Sequence, residues 1–334
     1  MSIVKTLSRK LLFPTLVGMG VDKLLLAKNK KQQIIINFHG VSNIKGKRFN
    51  NRHLDSVEFE KLILYLKERY AIIPLKELFE NYRSQKKVPK KTIAITFDDG
   101  YINNFTVALP ILKKHNVPAT FYLITESLEN KEFYVWPDVI DLIQKHTKED
   151  IKLTVGTFKY PGFYCDTLKL SLTDLMKQSG SEREKHLNEI KQKYPIYISE
   201  AAKEPELIKM IHKTELENYK DEPLIEYGSH THLHYNLEHL NSEDCFKEVS
   251  VSKHIIEKII KKPVLSLAFP DGSYNETTIV NSKKAGYENI VAVTYKLNEN
   301  NKDPYILSRF TVSNSTTSES NLLRLAVDFD KFGF

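Results

Sequence analysis

Two short segments of the chain concentrate residue types that bind metal ions and move protons. TFDDG, at positions 96–100, ends an apolar run with two adjacent carboxylates, Asp98 and Asp99. Adjacent carboxylates repel each other unless a cation lies beside them. The second segment lies within positions 227–239, where four of the eleven histidines of the chain are found. Carboxylates and imidazoles are the usual ligands of hydrolytic metal sites, so the two segments together predict metal-dependent hydrolysis.

The histidine segment predicts two metal ligands. His230 and His234 are four residues apart, a spacing that in a helical turn puts both imidazoles on one face. His232 would point elsewhere and support the site or lie at the surface. Two neutral histidines need an anionic third ligand to form the open, three-ligand arrangement of hydrolytic zinc enzymes. One aspartate of TFDDG can supply it while the other acts as a base for water. The alternative is that the histidines are polar loop residues and that Asp-Gly is an ordinary turn.

Short apolar runs alternate with helical patterns along most of the chain. Apolar residues recur at helical spacing within positions 59–70 and 249–260. The near-continuous apolar runs are typical of strands buried on both faces of a parallel sheet. These runs lie at positions 33–38, 71–75, 92–97, 119–124, 224–229, 264–269, 289–295 and 306–312. Such alternation implies right-handed crossovers and either a barrel or an open doubly wound sheet.

The candidate site residues all follow predicted strands. His39 follows the first, Asp98 and Asp99 follow the third, His230 follows the fifth, and a Pro-Asp-Gly turn at positions 270–272 follows the sixth. In β/α barrels the carboxyl ends of the strands gather the active site. The sequence therefore favours an α/β barrel whose mouth carries the chemistry.

Positions 126–221 interrupt the alternation. This segment is rich in Lys and Glu, contains an aromatic stretch at positions 158–164, and predicts one amphipathic helix near positions 173–194. We expect an insertion over the barrel mouth that shapes access of the substrate. The predicted organisation is an N-terminal segment over positions 1–31 followed by a single barrel domain over positions 32–334.

Composition limits the class of function. The 334 residues carry a net charge of +7, but the lysines are interspersed with glutamates and no nucleotide-binding motif or nucleic-acid reader is present. Nucleic acid is therefore not an expected partner. The two cysteines form no metal-binding or disulfide pattern.

The first 31 positions have a basic start, two apolar stretches and a lysine cluster. This order resembles a signal peptide only imperfectly, because Pro14 and the second apolar stretch interrupt the pattern. We expect a basic amphipathic segment that packs on the body of the protein or makes peripheral contact with a membrane surface. The expected location is cytoplasmic, with an exported form as the alternative.

Three motifs resemble those of the polysaccharide deacetylase (NodB-homology) family, namely TFDDG, GSHTHLH and FPDG at positions 269–272. The resemblance covers about positions 34–312. It implies a deformed (β/α)7-8 barrel and a metal-dependent hydrolase acting on carbon–nitrogen bonds, which removes an acetyl group from an N-acetylated sugar in a polysaccharide or glycoconjugate. The implied roles are general base for Asp98 and metal ligand for Asp99, His230 and His234. The residues expected to line the sugar groove or to stabilise the oxyanion are Tyr101, Phe269, Pro270, Asp271 and Gly272.

The chain departs from the family pattern in two places. Many members have an arginine where this chain has Ala268, and many have a late Leu-x-His that supplies the general acid, for which no convincing match follows position 290. The resemblance is closer to the branch with an early active-site histidine, as in poly-N-acetylglucosamine deacetylases. In that branch His39 would be the acid, with a capping or core histidine as the alternative. Arg309 could orient Asp98 in place of the missing arginine, or be a structural residue at a strand end.

The metal and the reaction remain open to alternatives at this point. Zinc is expected from its availability, although Co, Ni, Mn or Fe suit the same ligands. An O-acetyl esterase acting on carbohydrate would use the same site. A catalytically silent sugar-binding barrel is the third possibility, but the presence of both Asp98 and Asp99 argues against it because a binding module has little need of a base.

Overall fold

The computed structural model describes residues 12–28, 33–44, 50–85, 91–178, 180–293 and 303–312, together with residues 321 and 325. The N-terminal segment predicted over positions 1–31 is thus described only between residues 12 and 28. The last two positions of the strand predicted over 289–295 also lie outside the described residues.

Eight parallel strands form a nearly closed barrel, and we number them in chain order. They are β1 Gln33–Phe38, β2 Thr92–Phe97, β3 Ala119–Leu123, β4 Ile225–Ser229, β5 Ser266–Ala268, β6 Asn289–Ala292, β7 Ile306–Ser308 and β8 Phe310–Thr311. Their order is β7-β6-β5-β4-β3-β2-β1-β8. Ser308 pairs with Ala292, and Phe310 pairs with Ile36. The stretch of chain around Arg309 therefore joins the two ends of the sheet, which confirms the predicted barrel.

The strand predicted over positions 71–75 is much shorter than expected. Only Ala71–Ile72 is extended, and it pairs with the beginning of β2 beside the path of the main sheet. Pro74 is then the N-cap of a helix, Leu75–Arg83, because proline lacks the backbone N–H that a continuing strand would donate to the sheet.

Side chains alternate between the two faces of each strand, and this alternation selects the residues of the barrel interior. In β1 and β2, Ile35 and Ala94 lie in one apolar cluster with the Leu75–Arg83 helix, which contacts the amino-terminal ends of β4 and β6. Two positions further along, the same faces carry Asn37 and Thr96, both buried. The barrel interior therefore changes from apolar to polar towards the carboxyl ends of the strands.

Amphipathic helices pack on the outer faces of the strands and bury a larger apolar cluster. The Ser56–Arg69 helix buries Phe59 and Ile63, in agreement with the predicted spacing. The Ser242–Ile260 helix begins after Asn241, whose side chain accepts a hydrogen bond from a backbone N–H of the first turn, as expected of an N-cap. Further helices around the barrel are Leu109–Lys114, which continues a π-helical turn at Asn104–Ala108, then Glu126–Glu129, Lys213–Leu216 and Glu276–Lys284.

The insertion has its own apolar cluster, which is separate from that of the barrel. Its helices are Trp136–His146, Leu172–Met176, Ser181–Lys193 and Ile196–Lys203, and its two antiparallel hairpins pair Ile151–Leu153 with Gly156–Phe158 and Tyr164–Cys165 with Leu170–Ser171. The prediction of one helix near positions 173–194 is wrong. The first helix ends at Met176, and Gly180, which caps the start of the second, has a φ of 70°. Glycine adopts this non-helical conformation readily, so the segment does not form one continuous helix.

Two short helices, Phe13–Gly18 and Val21–Lys28, precede β1. Val17 and Leu25 pack against the apolar cluster of the barrel, and buried Asp22 accepts a hydrogen bond from Tyr65. Within the part of the chain that the structure describes, the helices are too short or too polar to cross a bilayer.

Candidate active site

Asp98 is held at the carboxyl end of β2 by three hydrogen bonds. The Arg309 guanidinium donates to both carboxylate oxygens, with N–O distances of 2.7 and 2.8 Å, and Asn37 donates to Oδ2 at 2.8 Å. Arg309 also donates to Asn37 Oδ1 at 2.9 Å and to Thr96 Oγ1 at 3.2 Å, so its own orientation is fixed. Burial raises the pKa of Asp98, but the charge and hydrogen bonds of Arg309, together with His230 and His39, outweigh burial and hold that pKa well below its usual range. Asp98 is therefore ionised at neutral pH.

Asp99, His230 and His234 form a buried cluster with the geometry of a metal site. Each offers one ligand atom, and these atoms all lie within 4.8 Å of one another. Asp99 Oδ1 is 3.5 Å from Nε2 of each histidine. The Nδ1 of His230 is hydrogen-bonded to the carbonyl oxygen of Ala268 at 2.9 Å, which directs Nε2 towards Asp99. A second hydrogen bond of this kind commonly orients a metal-binding histidine.

The electrostatics of the cluster favour a cation. Burial and the charges of Asp98 and Asp138 raise the pKa of Asp99 well above its usual range, and burial lowers the pKa of both His230 and His234. Metal binding needs neutral imidazoles and an ionised carboxylate, and the charge of a bound cation would keep the carboxylate ionised. The buried Nδ1 of His234 has no hydrogen-bond partner among the described residues. One carboxylate and two imidazoles fit a zinc ion and related divalent metals.

The two histidines converge in a loop, so the prediction that a helical turn aligns them is wrong. β4 ends at Ser229, and the following bends contain Thr231 and His234 with φ values of 66° and 56°. These left-handed conformations turn the chain back on itself, which brings the second imidazole to Asp99. His232 lies beside the cluster, where its Nδ1 is 2.9 Å from Thr125 Oγ1.

His39 follows β1 and is only partly exposed. Burial lowers its pKa to about 4, against the attraction of Asp98, and the positive charges of Arg52, His230 and Arg309 add to the lowering. The imidazole therefore lies within the electrostatic influence of both the base candidate and the metal cluster. It is uncharged at neutral pH, so a role as acid requires that it first gain a proton.

Tyr101 turns its side chain away from solvent. The ring is fully buried, and its hydroxyl donates to Asp138 of the insertion at 2.8 Å. Arg52 binds the same carboxylate and also contacts Asp141 at 2.7 Å. Tyr101 lies opposite Met210 in a short antiparallel bridge, in which the residues on either side of Tyr101 make the backbone hydrogen bonds. The backbone N–H of Tyr101 therefore points away from Met210. The predicted contact with substrate could therefore come only from this N–H, and the side chain instead joins the insertion to the barrel.

The FPDG segment forms a turn of 3₁₀ helix, Pro270–Gly272, after β5. Phe269 is buried and the Asp271 side chain is exposed. Gly272 has a φ of 68°, and a Cβ at this position would lie 2.1 Å from the carbonyl oxygen of Val293. Only glycine fits this approach of two backbone segments. Of this motif, Asp271 is the side chain that a ligand at the barrel mouth could reach most directly.

Three residues that hold the predicted site in place were not predicted from the sequence. Asn37 binds Asp98, Glu248 binds the backbone of the histidine loop, and Arg183 binds carbonyl groups of the same loop. Asn37 could have been found, because strand alternation puts it on the same face as His39. Glu248 and Arg183 lie in helices where charged residues are ordinary, so their spacing carries no signal.

The fold and the site define a class of protein, an α/β barrel with an Asp–His–His cluster and a separate buried aspartate at the carboxyl ends of its strands. The family model described as polysaccharide deacetylase matches residues 85–290, more than half of the chain. The chain belongs to the polysaccharide deacetylase family. This confirms the resemblance found in the motifs and the predicted class of enzyme, a hydrolase acting on carbon–nitrogen bonds.

Individual relatives agree with this membership. The poly-beta-1,6-N-acetyl-D-glucosamine N-deacetylase of Staphylococcus aureus is 32% identical over 146 residues, which are 42% of this chain and 48% of that enzyme. The chain thus matches about half the length of this relative. IcaB from Ammonifex degensii superposes with a TM-score of 0.58 at 15% identity, covering 89% of this chain and 98% of that one. The Streptococcus pyogenes deacetylase PplD gives a TM-score of 0.57 at 17% identity, covering 87% and 96%. At these identities the two structures support the fold.

Proposed function

We propose that this protein removes the acetyl group from N-acetylglucosamine units of a polysaccharide or glycoconjugate. The observation that carries the proposal is the Asp99–His230–His234 cluster next to Asp98, whose ionised carboxylate is fixed by Arg309. The substrate class is suggested by the Staphylococcus aureus relative, which is named for this activity on poly-beta-1,6-N-acetyl-D-glucosamine.

Asp99, His230 and His234 would hold the metal, for which we propose zinc, with Co, Ni, Mn or Fe as alternatives. When bound, such an ion polarises a carbonyl group and lowers the pKa of a coordinated water. Asp98 accepts the proton of the attacking water, because it is ionised and its orientation is fixed. The backbone N–H of Tyr101 is proposed to donate to the developing oxyanion.

His39 is proposed to deliver a proton to the departing amine, which an amide requires because an amine anion leaves too slowly. Since the pKa of His39 is lowered to about 4, the resting imidazole is neutral. We propose that it takes up the proton that Asp98 receives from water and passes it to the nitrogen. Replacing His39 with Gln should then lower kcat for an N-acetyl substrate more than for an O-acetyl ester, whose alcohol leaves more readily.

The test of the proposed function is acetate release by zinc-loaded protein. The substrates are β-1,6-linked N-acetylglucosamine oligomers and O-acetylated sugars. We expect release from the N-acetyl oligomers, its loss on treatment with a chelator, and a roughly 10²–10⁴-fold lower kcat for Asp98→Asn with zinc still bound, because general base catalysis contributes about this factor. Asp166→Asn, at an exposed position of the insertion, is the matched control and should retain full activity.

Other results of this assay would point to the alternatives. Release only from O-acetylated sugars would favour an esterase. Zinc and oligosaccharide binding without acetate release would favour a silent sugar-binding barrel. Full activity of Asp98→Asn would contradict the assignment of the base.

We also propose that the N-terminal segment makes peripheral contact with a membrane surface, at a cytoplasmic location. One side of its helices packs on the barrel through Asp22 and Leu25, whereas Met19 and Leu24 are 74% and 65% exposed. Exposed apolar side chains on a short amphipathic segment can insert at the lipid interface. The double variant Met19→Asp, Leu24→Asp should no longer co-sediment with anionic vesicles, as we expect the wild-type protein to do. Val280→Asp, at an exposed valine of another helix, should leave co-sedimentation unchanged, and equal binding by all proteins would refute the proposal.

A further inference from the structure

Arg183 reaches from the insertion to the loop that carries the metal-binding histidines. It lies in the first turn of the Ser181–Lys193 helix. Its guanidinium donates to the carbonyl oxygens of Leu233 and His234, each at 3.0 Å, and lies 4.6 Å from the centre of the Tyr235 ring. One side chain therefore contacts three consecutive residues at the end of the loop.

The same loop is held by a residue of the barrel. Glu248, in the Ser242–Ile260 helix, accepts hydrogen bonds from the backbone N–H groups of His232 and Leu233 at 3.1 and 2.9 Å. The N–H groups of the loop are thus fixed by a carboxylate from the barrel, and its carbonyl groups by a guanidinium from the insertion. Within this loop, His234 has a φ of 56°. A non-glycine residue keeps this conformation when its surroundings enforce it.

The burial of Arg183 is not explained by packing alone. The residue is 1% exposed, and its ion pair with Glu184 joins atoms 3.7 Å apart, with a carboxylate side chain that is 34% exposed. Within the described residues, its Nε has no hydrogen-bond partner. The charge of Arg183 is thus compensated by two carbonyl groups and a ring but by no carboxylate in hydrogen-bond contact. Burying a guanidinium in this way is costly relative to an apolar side chain of similar size. An arginine at this position therefore calls for a role that an apolar residue could not fill.

We propose that Arg183 is a positioning residue of the metal site, which fixes the backbone at His234 so that its imidazole meets Asp99 and His230. In this proposal the insertion completes the metal site through this one side chain. The inference rests on the proposed function, because it assumes that the cluster binds a divalent cation.

A purely electrostatic role for Arg183 makes the opposite prediction. A buried positive charge close to a divalent site repels the metal, so its removal would tighten metal binding. If Arg183 instead fixes the ligand geometry, its removal weakens binding. Changes in residues that orient metal ligands typically lower metal affinity about 10–100-fold. The sign of the change therefore separates the two roles.

The experiment is a competition titration of zinc against a chelating dye, with the full chain in its wild-type, Arg183→Met and Arg183→Lys forms. We expect about 10–100-fold weaker zinc binding for Arg183→Met. Lysine has one ammonium and cannot bridge both carbonyl groups, so Arg183→Lys should be intermediate. Arg83→Met is the matched control, because Arg83 also donates to a backbone carbonyl, that of Glu288, at the opposite end of the strands. It should bind zinc like the wild type.

Circular dichroism and the zinc-dependent rise of the unfolding temperature are measured on the same samples. A role in folding alone would lower the unfolding temperature while leaving zinc affinity and the zinc-dependent rise unchanged, and that result would overturn the proposal, as would unchanged or tighter zinc binding by Arg183→Met. If Arg183→Met does not fold, the proposal stands or falls with Arg183→Lys. Absence of zinc binding by the wild type would contradict the proposed metal site itself, whereas equal binding by wild type and variants would contradict only the role of Arg183.

Discussion

Replacing Arg309 with Met is expected to destabilise the fold strongly at neutral pH. The Arg309 side chain is fully buried, and it donates to both oxygens of Asp98 at 2.7 and 2.8 Å. Removal of one partner from a buried ion pair leaves the other charge uncompensated and costs about 3–5 kcal/mol. A domain is typically stable by about 5–15 kcal/mol, so the variant should still fold, with a much lower resistance to urea.

The pH dependence of this loss follows from the pKa of Asp98. In the wild type that pKa is held well below its usual range by Arg309, so the pair stabilises the protein fully above about pH 4, near the pKa of an unfolded aspartate. In the variant, burial acts without the compensating charge and raises the folded pKa above the unfolded value. The ionised carboxylate then becomes more costly as pH rises. The difference in unfolding free energy between wild type and variant should therefore be large at pH 7 and smaller near pH 4.

The assay is urea unfolding of both proteins at pH 4 and pH 7. Arg309→Met combined with Asp98→Asn removes both charges, so this double variant should lose less stability at pH 7 than the sum of the two single losses, by about 1–3 kcal/mol. Arg83→Met, which breaks bonds to a carbonyl and an amide oxygen, should show a small loss with no such pH dependence. Additive losses in the double variant, or a loss that does not shrink at pH 4, would refute the reasoning.

Three further predictions concern stability. Gly272→Ala should destabilise the fold by more than about 1 kcal/mol in urea unfolding, because its φ is 68° and a Cβ would meet the Val293 backbone; a neutral result would show that the two segments can move apart. Asn241→Ala should cost about 1 kcal/mol, because the side chain caps the Ser242–Ile260 helix, and Asn241→Ser should restore most of it. Adding zinc at 100 times its Kd should raise the unfolding free energy by about 2.7 kcal/mol; no rise, or a rise that survives His230→Ala, would contradict the proposed site.

The barrel and the convergence of its candidate residues could be predicted from the sequence because both depend on the backbone. Continuous apolar runs indicate parallel strands, and the residue after each run necessarily lies at the carboxyl end of the barrel. Asp98 and His39 follow β2 and β1, which pair along their full length from Gln33 with Thr92 to Phe38 with Phe97. Their neighbourhood therefore follows from strand register alone.

The helical arrangement expected of His230 and His234 failed for a physical reason. A spacing of four residues suits a helical turn, but it is equally compatible with a loop whose left-handed residues reverse the chain. Thr231 and His234 adopt such conformations, which are uncommon for residues other than glycine and most costly for a β-branched residue such as Thr231. Tertiary contacts enforce them, and residue spacing contains no information about those contacts.

The residues that hold the site could not be predicted because they bind through single long-range contacts. Arg183 lies in the sequence SEREKH, which is typical of an exposed helix with alternating charges, yet its guanidinium is buried against the carbonyl groups of Leu233 and His234. Nothing periodic distinguishes it from the solvated charges beside it. A barrel can place metal ligands near one another through its strand register, but a coordination geometry within a few tenths of an ångström needs the loop between them to be fixed as well. In this protein the insertion provides part of that constraint through Arg183, so changes that displace this side chain should alter metal affinity even though they leave every metal-ligand side chain in place.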